Sequence, residues 1–391
     1  MMKVTILGST GSIGVSTLDV ISYANSVGDQ AFEVDALIGG RNASLLIEQA
    51  KTFRPNTVVI QDQSQFSTVK SALVGHDIEV ASGDAAVIEA ASRPVDKVMA
   101  SISGTCGLLP TMAAIDSGAD VLLANKETMV CAGPIMKARA EKSGSKIIPV
   151  DSEHNAILQC LDGSQKVEQF TLTASGGPFR DASLDIIRAA TPDQALAHPN
   201  WAMGAKNSLD SATMMNKGLE LIEAVYLFDI PQSQIDVLVH PQSIIHSMVA
   251  YSDGSVIAQM GTPDMKTPIA YALGLPGRVR TDVKRLNLAE LARLDFRMPD
   301  DERFPALNLA RQASDAGLIG TCVFNAANEY AGKAFLNGEC GFLDISALVE
   351  YSLHRALDRR SSEMPHNVST VDDALQVTEI VRTWVEKRLK N

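Results

Sequence analysis

A chain of 391 residues is long enough for two or three domains, each with a proper core. Its composition, 46% hydrophobic and 20% charged, is that of a globular protein, and its formal net charge of −12 argues against a nucleic-acid binder, which needs clustered Lys and Arg. That charge still allows a small phosphorylated ligand held in a local cationic pocket.

The chain opens with KVTILG, an alternating and mostly apolar run, then GSTGSIG at 8–14, then VSTLDVISYA, which reads as a helix. Strand, glycine turn and helix in this order suit a Rossmann-type phosphate loop: the glycines let the backbone approach a pyrophosphate whose charge faces the helix N-terminus. The spacing is GxxGxxG rather than GxGxxG, so a plain glycine-rich βα turn stays open on pattern alone. Met1-Met2-Lys3 leads straight into this strand, so no cleaved leader is expected. No apolar stretch approaches the roughly 20 residues of a membrane helix. Cys106, Cys131, Cys160, Cys322 and Cys340 are widely spaced and odd in number, which suggests reduced thiols in a cytoplasmic protein.

Up to about residue 150, short β-branched runs alternate with helical stretches. The strands expected are KVTILG, FEVDALIGG, TVVIQD, HDIEVASG, DKVMASIS, DVLLANK and KIIPV, forming a mostly parallel sheet covered on both faces. FEVDALIGG ends without the acidic residue that commonly holds the ribose hydroxyls of NAD. It runs instead into Gly40-Arg41-Asn42, and Arg41 could grip a 2′-phosphate, which favours NADP. Glu33 and Asp35 lie too early in the strand for that role, and a solvent-facing Arg41 is the alternative.

Residues 151–285 read as an α+β catalytic domain, with QFTLTAS, IDVLVHP, SIIHSMVAYSD and SVIAQMG as partly antiparallel strands and Asp253-Gly254 in a hairpin turn. Residues 286–312, rich in charge and proline, read as an ordered connector. Residues 313–391 read as a C-terminal helical domain with Thr370 as a helix cap and Gly338 and Gly341 as breakers.

Three clusters carry candidate chemistry. Asp151-Ser152-Glu153-His154 follows the apolar KIIPV and offers two carboxylates as hard oxygen ligands for Mg²⁺ or Mn²⁺. Ser211, Asn216, Lys217 and Glu220 combine the groups that suit a phosphate monoester and an acidic metal site, with Lys217 and Glu220 on one helix face. Thr173-Ala174-Ser175-Gly176-Gly177-Pro178-Phe179-Arg180 offers a hydroxyl and backbone N–H groups to an anion. For each cluster a polar loop, a solvated helix face or a structural turn is the bland alternative. His198-Pro199-Asn200-Trp201-Ala202-Met203-Gly204 reads as a loop able to close over substrate. The scattered histidines argue against zinc.

At these motifs, together with LLANKE at 122–127 and HPQSIIHSMV at 240–249, the chain resembles the 1-deoxy-D-xylulose 5-phosphate reductoisomerase family along essentially its whole length. The resemblance implies an N-terminal Rossmann-like NADP-binding domain, an α+β catalytic domain, a C-terminal helical bundle and a homodimer. It implies NADPH held by Gly8, Ser9, Thr10, Gly11, Ser12, Ile13, Gly14, Gly40, Arg41, Asn42, Asn125, Glu127 and Gly204. The metal, Mg²⁺ or Mn²⁺ with Co²⁺ as a further candidate, would be held by Asp151, Glu153 and Glu220. Ser175, Ser211, Asn216 and Lys217 would hold the substrate phosphate, while Ser152, Glu153 and Lys126 would meet the reacting skeleton. His198, Trp201 and Met203 would belong to the closing loop. The implied reaction is a retro-aldol cleavage and re-addition followed by hydride reduction to 2-C-methyl-D-erythritol 4-phosphate. An NADP-dependent dehydrogenase of the homoserine kind would explain residues 1–150 equally well, but not the carboxylates at 151, 153 and 220. An NADP-sensing regulator would bind cofactor without turnover. Neither nucleic acid nor membrane is an expected partner.

Overall fold

A computed structural model describes residues 1–161, 163, 166–201, 203–358, 363–365 and 367–390. Ala202 of the expected closing loop and Arg359 of the expected C-terminal helical domain lie outside the described residues. The chain divides into two compact units: one holds Met1–Thr128, Met136–Asn155 and Asp264–Lys284, the other Met129–Ile135, Ala156–Pro263 and Arg285–Asn391.

The first unit is built on a parallel sheet of seven strands among the described residues: β1 (Met2–Leu7), β2 (Phe32–Gly39), β3 (Thr57–Ile60), β4 (Glu79–Ser82), β5 (Lys97–Ala100), β6 (Asp120–Leu123) and β7 (Ile147–Pro149). Their order is β4-β3-β2-β1-β5-β6-β7, and each neighbouring pair is parallel. Val4, Ile6, Leu37, Val58, Val98, Met99 and Leu122 are buried, because helices cover both faces and the strands need no polar side. The strand order reverses between β1 and β5, so the glycine turn after β1 opens at the crevice where such sheets bind ligands.

Four segments depart from the sequence expectation. Residues 151–155 were expected to open the catalytic domain but belong to the first unit. Residues 264–284 were expected with the catalytic strands but pack in the first unit. There the helix Lys266–Gly274 lies against the helix Ser12–Ser26, and buried Lys97 of β5 donates Nζ to the carbonyls of Ala272, Leu273 and Leu275 at 3.0, 2.8 and 3.3 Å. A cation at the last carbonyls of a helix satisfies both partners. Residues 129–135 belong to the second unit, and the helix Lys126–Ser143 is broken at Ala132, two residues before Pro134. Finally, the expected connector is helical from residue 306. Ala306, Leu307, Leu309, Ala310 and Ala313 form the buried stripe of the helix Ala306–Asp315, which charged and proline residues just upstream had concealed.

The second unit holds β8 (Val167–Ala174), β9 (Ile235–Val239), β10 (Ile245–Tyr251) and β11 (Val256–Met260) in the order β11-β10-β8-β9. β8 and β9 are parallel and the other two pairs antiparallel. A parallel pair needs a crossover, and residues 175–234 supply it, carrying the helices Ala205–Ala212 and Met215–Phe228. The β10–β11 hairpin turns at Asp253-Gly254, with Tyr251 N donating to Ser255 O at 2.9 Å. The helices Gly317–Leu336, Phe342–Leu357 and Val371–Leu389 complete the unit. The last begins with a capping box in which Thr370 Oγ1 accepts from Asp373 N and Asp373 Oδ2 accepts from Thr370 N. No helix among the described residues is long and apolar enough to cross a membrane.

Candidate active site

In the first unit the helix Ser12–Ser26 starts at Gly11 without a side-chain cap. Its first N–H groups are therefore left to a ligand or to solvent. Gly14 is required for space: a Cβ there would stand 2.4 Å from Gly8 O and from Ser9 Cα, so only glycine lets the helix start against the turn. Gly11 and Ser12 are exposed, Gly8, Thr10 and Ile13 half-buried and Ser9 buried, so the loop presents mainly backbone. Beyond β2, Gly40 is half-buried and Arg41 exposed, while Asn42 caps the helix Ala43–Phe53, accepting from Leu45 N at 3.2 Å. Asp35 is engaged elsewhere, by Arg93 Nε at 2.9 Å and Asn56 Nδ2 at 2.8 Å. Asn125 and Glu127 are buried. The Asn125 amide donates to the carbonyls of Ile102 and of Gly104 (2.9 Å for the latter), and its Oδ1 accepts from Thr128 N at 3.1 Å. It thus ties together the loops that follow β5 and β6.

The acidic pair stands in the same unit, at the C-terminal end of β7 and in the first turn of the helix Ser152–Cys160. Asp151 is in an ion pair with buried Lys126, and its Oδ1 accepts from Ser152 N at 3.0 Å. Ser152 Oγ donates to Glu153 Oε2 at 2.5 Å. Asp151 and Glu153 are both half-buried, with Asp151 Oδ2 itself shielded from solvent. Together they offer hard anionic donors beside an ammonium, which suits a divalent cation and a polar substrate.

In the second unit two clusters form. In the first, Ser175 Oγ lies 2.9 Å from His198 Nε2 and 3.5 Å from Ser211 Oγ. His198 Nδ1 accepts from Asn200 N at 3.2 Å and from Trp201 N at 2.9 Å, so the ring proton sits on Nε2 and is donated to Ser175. Burial, with nearby Arg180, lowers the His198 pKa and keeps the ring neutral. The turn that brings the serines together depends on Gly177, which has φ +65° and lies where a Cβ would meet Ser211 O at 2.7 Å. In the second cluster, Glu220 accepts from Asn216 and from Lys217, all within the helix Met215–Phe228. Glu220 lies four residues beyond Asn216 and three beyond Lys217, the two spacings at which helix side chains meet. Lys217 and Glu220 are both buried.

The loop expected to close over substrate is tied at Asn200 to the HPQS segment, for Asn200 Nδ2 donates to Pro241 O at 2.6 Å and to Ser243 Oγ at 3.1 Å. Trp201 stands 6.1 Å, ring to ring, from His246. Ser208 Oγ donates to Met203 O at 3.5 Å, and Gly204 is the N-cap of the helix Ala205–Ala212. Sequence reading overlooked Asn200, Arg180 and His246. Arg180 Nη1 donates to Ser175 O at 3.3 Å, and burial lowers His246 to about 4, with further lowering from His240 and Lys217. Their signal was present, since all three lie within or beside motifs already singled out.

A Rossmann-type sheet with an uncapped glycine turn, together with clusters of carboxylate, lysine and hydroxyl, defines a nucleotide-dependent oxidoreductase with its own catalytic unit. Three family models match the chain: 1-deoxy-D-xylulose 5-phosphate reductoisomerase over residues 4–133, its C-terminal domain over 147–228 and the DXP reductoisomerase C-terminal domain over 260–384. The chain belongs to the 1-deoxy-D-xylulose 5-phosphate reductoisomerase family. It is 52% identical over 373 residues to the reductoisomerase of Agrobacterium fabrum, covering 95% of this chain and 94% of that protein. With the Rhodospirillum centenum enzyme it shares 50% over 374 residues, covering 95% and 90%. Among solved structures, it is similar to a DOX-P reductoisomerase in complex with NADPH, fosmidomycin and magnesium (TM-score 0.93, 40% identity, covering 100% of this chain and 98% of that one). It is also similar to the Zymomonas mobilis enzyme in complex with NADPH (TM-score 0.90, 44% identity, covering 100% and 99%).

Proposed function

We propose that the protein is a 1-deoxy-D-xylulose 5-phosphate reductoisomerase, which rearranges and reduces that sugar phosphate to 2-C-methyl-D-erythritol 4-phosphate using NADPH and a divalent cation. The observation that carries this reading is the 52% identity to a reductoisomerase over 95% of the chain. Structures of relatives hold NADPH and magnesium, and the residues here fit both groups. The uncapped helix behind Gly11 suits a pyrophosphate, and exposed Arg41 beside the helix capped by Asn42 suits a 2′-phosphate. Gly8, Ser9, Thr10, Ser12, Ile13, Gly14, Gly40, Asn125, Glu127 and Gly204 would line or shape the cofactor site.

Asp151, Glu153 and Glu220 would hold Mg²⁺ or Mn²⁺. The set is all oxygen, and Lys126 and Lys217 already balance two of its charges. When bound, the cation supplies Lewis-acid polarisation and NADPH supplies hydride. The protein's residues do the rest. Ser152 orients the Glu153 carboxylate and Lys126 stands ready to hold or move a proton beside Asp151. Ser175, Ser211, Asn216 and Lys217 would anchor the phosphate, and that remote binding energy helps to orient the reacting carbons. His198, Trp201 and Met203 would close over substrate and exclude water.

The chain would act as a cytoplasmic homodimer. Exposed Val256, Ile257 and Met260 on the edge strand β11 support the pairing, and five cysteines with no disulfide among them fit a reducing compartment. The decisive experiment is NADPH oxidation by purified protein with 1-deoxy-D-xylulose 5-phosphate and Mg²⁺ or Mn²⁺. Metal-dependent oxidation giving the branched polyol phosphate is the expected result. Turnover of simple aldehydes or hydroxy acids without metal would point instead to an ordinary dehydrogenase.

A further inference from the structure

The helix Ala205–Ala212 joins the closing loop to the phosphate serines, and one buried carboxylate governs how it is seated. Asp210 is 3% exposed. Its Oδ2 accepts from Lys206 Nζ at 2.6 Å, one turn back on the same helix, and its Oδ1 accepts from Asn328 Nδ2 at 2.8 Å. Asn328 lies 2% exposed in the helix Gly317–Leu336. The two helices touch again one turn further along, where a Cβ on Gly332 would stand 3.3 Å from Leu209 Cδ2.

The carboxylate fixes which way the amide points, because turning it would set oxygen against oxygen. That leaves Asn328 Oδ1 buried with no donor among the described residues. A leucine would fill a similar volume without the unpaired atom, so packing alone does not account for an asparagine here. Its hydrogen bond to Asp210 does. Ser211 is the next residue, roughly 100° further round the helix. The roll that satisfies Asp210 is therefore the roll that directs Ser211 Oγ to within 3.5 Å of Ser175 Oγ.

We propose that Asn328 is a positioning residue for the substrate phosphate: through Asp210 it sets the roll of the helix Ala205–Ala212 and so keeps Ser211 beside Ser175. This rests on the reading that those serines hold the phosphate of the sugar. Asn328 touches no reacting atom and acts only through Asp210.

The test uses the full-length protein and inorganic phosphate as the probe. In the wild type, phosphate should inhibit competitively against 1-deoxy-D-xylulose 5-phosphate. Asn328→Leu should raise both the KI for phosphate and the KM for the sugar phosphate about tenfold, the scale of one hydrogen bond to a charged group, and leave the KM for NADPH unchanged. The exchanged pair Asp210→Asn with Asn328→Asp keeps one N–H···O bond and the charge, and should recover most of that loss. If the leucine variant does not fold, Asn328→Ser is read by the same two constants. A folded Asn328 variant with an unchanged phosphate KI overturns the proposal, as does an exchanged pair no better than the leucine variant. A wild type with no turnover of the sugar phosphate overturns the parent reading and this proposal with it.

Discussion

The carbonyl of Ser211 occupies the space that a side chain at position 177 would need: a Cβ on Gly177 would stand 2.7 Å from it and 3.0 Å from Ala212 Cα. With its positive φ, residue 177 excludes L side chains twice over. Gly177→Ala should push the Ser175 turn off the helix that bears Ser211. A shift near 1 Å costs roughly 100-fold in turnover at a well-oriented site. The check is kcat/KM for the sugar phosphate alongside the NADPH dissociation constant, which should not move. Normal kinetics in the alanine variant would show that the two serines need not meet.

Metal dependence is expected to rest on the carboxylates. Glu220→Gln keeps the shape and one acceptor oxygen for Asn216 but removes the charge that pairs with Lys217 and that a divalent cation needs. Turnover should nearly vanish while NADPH still binds. Full activity of this variant in the presence of EDTA would refute the assignment.

Cofactor choice is expected to follow Arg41. Arg41→Ala should raise the KM for NADPH far more than that for NADH, which has no 2′-phosphate to lose. Equal effects on both would remove Arg41 from that role.

Acid should weaken the second unit through His246. Its folded pKa is lowered to about 4, mainly by burial, against an ordinary value of 6.5. Below about pH 6.5 the unfolded chain takes up a proton that the folded chain refuses. Stability is therefore lost as pH falls from about 6.5 to about 4, by about 3 kcal/mol at most. Urea unfolding across that range should show the slope, and His246→Gln should flatten it. An unchanged slope in the variant would assign the acid sensitivity to other groups.

The phosphate should do more than anchor. Lys217→Ala is expected to weaken substrate binding strongly, since a buried ammonium is lost. A sugar without the phosphate should lose kcat as well as affinity if phosphate binding drives closure. Trp201 fluorescence should change when a substrate analogue joins the NADPH complex, with Trp384, fully buried in the helical region, giving a constant background. A phosphate-free sugar turned over at undiminished kcat, with no Trp201 signal, would mean that the loop does not gate the chemistry.

Local order was legible where chemistry repeats at short range. The glycine turn, the parallel strands, the Asp253-Gly254 hairpin, the Thr370 cap and the Lys217–Glu220 face all follow from spacing within one or two turns. What escaped depends on contacts distant in sequence. Nothing in the helix Lys266–Gly274 says which sheet it covers, since its apolar stripe would suit either unit; three carbonyls on Lys97 decide it. Likewise Ser175, His198 and Ser211 meet only because a parallel β8–β9 pair forces its long crossover to fold back on itself. Asn200 and His246 are likewise defined by partners about 40 residues away, which local spacing does not reveal.

The clamp of Lys97 on the helix Lys266–Gly274 bears on how the chain is made. A ribosome finishes β7 at Pro149 long before it reaches Ala272. Until then the nascent sheet lacks the helix that packs on Ser12–Ser26, and the Lys97 ammonium lacks its three carbonyl acceptors. A protein truncated near residue 150 would carry all seven strands and still expose an apolar flank and an unmatched buried cation. Such a fragment should aggregate or stay loosely folded, whereas grafting residues 264–284 onto it through a short linker should restore a cooperative melt.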